Sequence, residues 1–174
     1  FLRPAALATD TALSSDVIYH ALSYLKNMGH HFDYLVLLEP TSPLTETHDI
    51  NKALNLLIQA NADAIVGACK IEKHHPQFCA RQNKQGLMTP YAGGDFAKPT
   101  RRQDLDPLYF FEGSLYISRV EKYMQTATFY HDSTLPYIVP EWKALEIDTL
   151  LDFFMIETVM KNKDLLQALD HTST

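Results

Sequence analysis

Apolar residues recur at helical spacing in "SSDVIYHALSYLKNM" (residues 14–28). Val17, Ile18, Ala21, Leu22, Leu25 and Met28 fall on one stripe, with Ser14 or Ser15 placed to cap the start and Gly29 to end it. A continuous apolar run follows at 34–38, "YLVLL", the pattern of a strand covered on both faces. "HDINKALNLLIQAN" (48–61) repeats the helical period, with Ile50, Ala53, Leu54, Leu57 and Ile58 inward, and "DAIVGACKI" (63–71) reads as a second buried strand. The pattern then breaks over 72–107, which holds Gly86, Gly93, Gly94 and several prolines and reads as an irregular excursion with a small hairpin. Strand character returns at 108–118, followed by a short helix at 119–126, a strand near 136–139 and a closing helix at 149–163.

Alternating helix and strand at this spacing predicts an α/β fold with a doubly wound, mostly parallel sheet. Ligands of such sheets bind outside the carboxyl ends of the strands. That edge is where "LLEPTSPLT" leaves the first strand, so Glu39, Thr41 and Ser42 are candidates for contact with a polyhydroxylated ligand. Pro40 and Pro43 stiffen the turn between them. The alternative for the hydroxyls is to cap the helix that follows.

Composition narrows the class. The chain has 174 residues, 46% of them hydrophobic, enough for one domain with a real core. A net charge of −6 without a dense Lys/Arg run argues against a sequence-independent grip on nucleic acid. No stretch is long and apolar enough to span a bilayer, and the cysteines Cys69 and Cys79 fit a reducing compartment, so a cytoplasmic protein is expected. Glu146 and Asp148 flank Ile147 just before the closing helix. In extended backbone they project to one side, as a pair of hard oxygen ligands for Mg²⁺ would. The competing reading is an acidic first turn with Asp148 as the cap. Adjacent His74 and His75 lack any partner at zinc spacing and read as structural or rim residues.

Taken in order, "FLRPAALATDTALSSDVIYHAL", "LVLLEPTSPLT", "DAIVGACKIEKHHP", "RRQDL", "EGSLYIS" and "LEIDTLLDFFMIE" resemble the acylneuraminate cytidylyltransferases, or CMP-sialic acid synthetases, and their relatives for legionaminic-type acids. The resemblance runs from residue 1 to about 160. It implies transfer of a cytidylyl group from CTP to the anomeric hydroxyl of a nine-carbon α-keto sugar acid, with release of pyrophosphate and assistance from Mg²⁺. By the same resemblance Arg3 and Ser14 sit at the nucleotide, and Arg102 reaches the active site as a catalytic cation, with Arg101 as the alternative register. Glu39, Thr41, Ser42 and Tyr116 lie along the sugar. Phe129 and Tyr130 match an aromatic pair at its acyl substituents, often across a dimer boundary. Asp148, catalytic through its metal, and Glu146 hold Mg²⁺. Residues 72–107 correspond to a dimerisation and sugar-side arm, and a homodimer is implied.

Four departures qualify this match. Glu39 stands where Gln is common, Glu112 replaces Asn before Gly113, Glu146 replaces Asp, and Phe78 occupies a position often held by Lys. No Gly-rich phosphate loop occurs. Residues 1–174 are therefore expected to form a single incomplete nucleotidyltransferase domain, inactive without an upstream nucleotide loop. The same residues leave open a nucleotidyltransferase of this fold with another sugar or nucleotide, and a non-catalytic binding module.

Overall fold

A computed structural model describes residues 1–95 and 101–170; positions 96–100 of the expected arm, and 171–174, lie outside the described residues. Its main elements are α1 (Ser14–Asn27), β1 (Tyr34–Leu38), α2 (Thr47–Gln59), β2 (Ala64–Lys70), β3 (Ala80–Gln82), β4 (Met88–Pro90), β5 (Tyr109–Arg119), α3 (Val120–Thr126), β6 (Thr134–Val139), α4 (Leu150–Lys161) and α5 (Lys163–Asp170). The excursion carries the antiparallel hairpin β3–β4.

The main sheet has the order β1-β5-β2-β6 and is mixed. β1, β2 and β6 share one direction, while β5 runs against both of its neighbours. The reason lies in the excursion. The chain leaves β2 at its carboxyl end and re-enters beside it, where the Ile71 N–H donates to the Leu108 carbonyl at 2.8 Å. A strand that starts there can only run backwards, since a parallel return needs a crossover to the opposite edge.

Helices cover both faces of the sheet. On one face Ala53 and Leu57 of α2 pack on Ile65, Cys69, Leu115, Ile117, Tyr137 and Val139. On the other, Ile18 of α1 and Tyr123 of α3 close over Val66, with Phe129, Leu35, Leu37 and Tyr116. β2 is buried along its length up to Lys70, as its unbroken apolar run requires. Each of the buried Leu57, Ile65 and Ile117 contributes about 1.5–3 kcal/mol by leaving water.

Several local expectations need correction. β1 is an edge strand, so Val36 and Leu38 are exposed, while Leu35 and Leu37 pack on one core and Tyr34 on the other. Met28 and Ile58 also face solvent at the limits of their helical stripes. None of the serines caps α1, whose N-cap is Leu13. Glu46 caps α2 in a reciprocal box with Asp49, and Thr149 caps α4 in a box with Asp152. α4 is apolar nearly all round, yet only Ile156 is buried; Leu150, Leu151, Phe153 and Phe154 are exposed.

Candidate functional site

Because β1, β2 and β6 run the same way, their carboxyl ends lie along one edge of the sheet. β5 enters at that edge, since Leu38 at the end of β1 pairs with Leu115 and Cys69 near the end of β2 pairs with Phe110. Four segments therefore meet there: Glu39–Ser42 after β1, Ile71–His75 after β2, Pro140–Asp148 after β6, and the first half of β5.

Two of these segments are bonded directly. The Ile147 N–H donates to the Thr41 carbonyl at 2.8 Å, and the Ser42 hydroxyl donates to a Glu146 carboxylate oxygen at 3.2 Å. Ser42 is buried, whereas Thr41 is exposed and Glu39 partly so. The turn is closed by the Ser42 N–H on the Glu39 carbonyl. The Glu146 carboxylate lies directly over Gly113, where a Cβ would stand 1.8 Å from its Oε1. Gly113 has φ +73°, at the irregularity where the β2–β5 register shifts. Its lack of a side chain thus serves both the backbone and the carboxylate.

Tyr116, two residues beyond Ser114 on β5, packs on Phe129 with ring centroids 5.3 Å apart. Burial, followed by the nearby Tyr130, Glu146, Glu39 and Glu112, pushes its hydroxyl up to about 12, so it is a neutral donor at physiological pH. Phe129 is 7% exposed and also stacks on Tyr123, so in this chain it is core. Tyr130 is half exposed and meets Phe111 at 4.9 Å. Of the aromatic pair, Tyr130 is the member open to a ligand.

Glu112 is 2% exposed, with one oxygen 2.5 Å from the Ser114 hydroxyl and the other without a hydrogen-bond partner among the described residues. It fills the space over Gly67, where a Cβ would come within 1.8 Å of its Oε1. Burial, reinforced by Glu146 and Asp49 and only partly offset by Ser114, raises its pKa above the ordinary 4.5. A carboxyl raised in this way makes the folded state bind more protons than the unfolded one. Stability is then greatest below the unfolded value and declines as pH climbs toward the folded value. Glu112→Gln is expected to raise the melting temperature near neutral pH by roughly 3 °C, about 1 kcal/mol, and to flatten that decline. Calorimetric scans at a series of pH values check this; a lower melting point at neutral pH would mean that Glu112 is held as a stabilising anion.

The arginines separate clearly. Arg101 is held by Asp104 at 2.8 Å, whereas Arg102 lies over the Phe78 ring at 5.9 Å and carries no ion pair among the described residues. Arg102 lines a pocket of about 290 Å³ with Lys70, Glu72, His75 and Asp106. Phe78, found where a lysine is common in the resembling family, thus supports this arginine instead. His75 accepts the Gln77 N–H on Nδ1 and caps the short helical turn at Pro76–Phe78, a structural role. Arg3 and Ser14 are exposed, at the N-terminal stretch and the first turn of α1.

Among the described residues no three acidic, His or Cys side chains gather as a metal cluster. The pair Glu146 and Asp148 nevertheless presents the hard oxygen donors Mg²⁺ takes when phosphate and water complete its shell. Asp148 is exposed, and its backbone N–H donates to Asp152. Thr149 caps α4, so Asp148 is not needed as a cap. Thr41 and Ser42 are likewise free of the capping role, which Glu46 takes.

One part of the site has no counterpart in the motifs. Lys143, 9% exposed, donates to Asp49 and to Glu46 at 2.6 Å each, and the Tyr137 hydroxyl donates to Asp49 at 3.0 Å. Lys163 also bonds Glu46. Hydrogen bonds from Lys143, then Lys163, hold Glu46 below the ordinary carboxylate range. That contribution is complete above the unfolded value of 4.5 and is lost as pH falls below it. The expected helix began at His48 without the Glu46/Asp49 box, and Lys143, inside "PEWKAL", carried no signal.

No family model matches the chain. Curated proteins do. The N-acylneuraminate cytidylyltransferase of Streptococcus agalactiae serotype V is 32% identical over 155 residues, which cover 89% of this chain and 36% of the relative. Post-translational flagellin modification protein B of Campylobacter coli is 31% identical over 174 residues, 98% of this chain and 71% of the relative. The CMP-N,N'-diacetyllegionaminic acid synthase of Legionella pneumophila is 29% identical over 171 residues, 92% and 68%. The chain thus spans little more than a third of the Streptococcus relative and over two thirds of the other two. With these matches running through the segments that meet at the carboxyl edge, the chain belongs to the acylneuraminate cytidylyltransferase family.

Proposed function

We propose that the protein activates a nonulosonic, sialic-type acid with CTP, giving the CMP-sugar and pyrophosphate. The observation that carries this reading is the junction of the Thr41–Ser42 turn with the Glu146–Asp148 segment, by the Ile147–Thr41 and Ser42–Glu146 bonds, at the carboxyl edge of the sheet. A sugar-binding turn and a pair of phosphate-side carboxylates are thereby neighbours, as a direct transfer between the two substrates requires.

The sugar acid lies along Glu39, Thr41, Ser42 and Tyr116, with Tyr130 beyond them. Ionised Glu39 only accepts hydrogen bonds, so it faces a hydroxyl or amide N–H of the sugar. Arg3 and Ser14 hold the nucleotide, and Arg102, supported by Phe78, offsets the charge of the phosphates. Asp148 and Glu146 would hold Mg²⁺, which when bound would neutralise phosphate charge. The anomeric oxygen of the sugar forms a bond to the α-phosphorus, its proton leaves to solvent or a nearby base, and the bond to the pyrophosphate oxygen breaks. The fold we assign is the doubly wound nucleotidyltransferase type, in a cytoplasmic protein.

Pyrophosphate release by the full-length protein from CTP, with and without a nonulosonic acid, tests the reading. Release with another nucleotide, or none with any, would favour the alternatives. Thr41→Ala and Glu39→Gln should each raise KM for the sugar acid about fivefold, as loss of one hydrogen bond near 1 kcal/mol implies, and leave KM for CTP unchanged. Equal effects on both substrates would make the turn structural.

We also propose a homodimer, supported by the exposed apolar residues of α4 and by the excursion at 72–107. Sedimentation at micromolar concentration should give twice the monomer mass, and a monomer would overturn this.

A further inference from the structure

The geometry points to Lys143 as a positioning residue that fixes the segment carrying Glu146 and Asp148 against the turn carrying Glu39, Thr41 and Ser42; this rests on the site proposed above. Lys143 and Asp49 are 9% and 6% exposed, so their ion pair lies away from water. Every oxygen of Asp49 is occupied: Oδ1 by the Tyr137 hydroxyl, Oδ2 by Lys143 and by the Glu46 N–H at 2.9 Å. Such a centre tolerates little displacement, because moving one member leaves a buried charge unpaired.

The location of this centre matters more than its strength. Glu46 and Asp49 form the first turn of α2, four residues after Ser42, and Lys143 stands three residues before Glu146. Tyr137 belongs to β6, so the cluster ties α2 to the strand that delivers the Glu146–Asp148 segment. Beyond the cluster the two segments are joined by the Ile147–Thr41 and Ser42–Glu146 hydrogen bonds. One of these is a single backbone bond and the other, at 3.2 Å, a long one. Neither would hold two loops in place alone. A rigid anchor behind them is what turns two weak contacts into a fixed junction.

The test compares three forms of the full-length protein. Asp49→Asn with Lys143→Met removes both charges and keeps an acceptor for Tyr137, so it avoids an unpaired buried ion. Its melting temperature should stay within a few degrees of the parent. The Ile147 amide, followed by hydrogen exchange, should exchange about tenfold faster, and kcat/KM for the sugar acid should fall about tenfold. Lys143→Arg, which can still reach both carboxylates, should restore most of each. Unchanged Ile147 exchange in the double variant overturns the inference, whether or not the parent turns over CTP. Absence of CTP turnover in the parent instead overturns the proposed function, and the exchange result then still decides the role of Lys143. Should the double variant melt below the assay temperature, Tyr137→Phe, which frees one oxygen of Asp49, should give the same pattern at about threefold, and a flat response there also overturns it.

Discussion

Asp148→Asn should reduce CTP-dependent turnover by about 100-fold or more while leaving the melting temperature where it is. The two halves of that result have separate causes. The fold does not use this carboxylate: it is exposed, it caps nothing, and the first turn of α4 is closed by Thr149 and Asp152. The proposed chemistry does use it, as the more open of the two oxygen ligands for Mg²⁺. A 100-fold loss corresponds to about 2.7 kcal/mol of transition-state stabilisation, within the range a metal's charge supplies at a phosphoryl oxygen. Steady-state rates across a Mg²⁺ titration, beside a thermal melt, check both halves. An intact rate at saturating Mg²⁺ would remove Asp148 from the site. Glu146→Asp should cost less, within about tenfold. It keeps the charge and restores the residue common in the family, though a shorter chain gives up reach toward Ser42.

Gly113→Ala should be the most disruptive single methyl in the chain. The added Cβ would sit 1.8 Å from Glu146 Oε1 and 2.7 Å from its carboxyl carbon, and φ there is +73°. A non-glycine residue in that region costs on the order of 1–3 kcal/mol before any clash. Glu146 is the far end of a flexible side chain, so it can swing away, but only by abandoning Ser42. The expected result is a melting temperature lower by roughly 5–10 °C, with turnover lost further than the stability change explains. Thermal melts and rates at a temperature where the variant is folded separate the two. A variant of parental stability and rate would mean that Glu146 does not rest on Gly113 in solution. Gly67→Ala offers a control, since its Cβ would meet buried Glu112 at the same 1.8 Å without touching the Thr41 turn.

What could be read from the sequence was local. The helical stripes of α1 and α2, the buried run of β2 and the acidic pair before α4 all follow from spacing, because a helix or strand imposes its period on its own residues. The carboxyl-edge position of Glu39–Ser42 followed from strand direction, and with it the part of the site that the motifs name.

Tertiary structure decided the rest, wherever the deciding partner lies far along the chain. The reversed direction of β5 depends on where the excursion returns, which no periodicity records. The exposure of Val36 and Leu38 depends on β1 lying at an edge, a property of strand order alone. Phe129 became core, and Tyr130 the open aromatic, through contacts with Tyr123 and Phe111. Arg101 was drawn onto Asp104, and Arg102 onto the Phe78 ring, by contacts that no sequence pattern records. Lys143 reads as an ordinary surface cation until the fold brings Asp49, 94 positions earlier, to it. The sequence by itself determined which polar residues are candidates for chemistry and which strand end presents Glu39–Ser42. Only the folded chain determined which of them meet, because a hydrogen bond or buried charge pair is specified by position in space and leaves no period in the sequence.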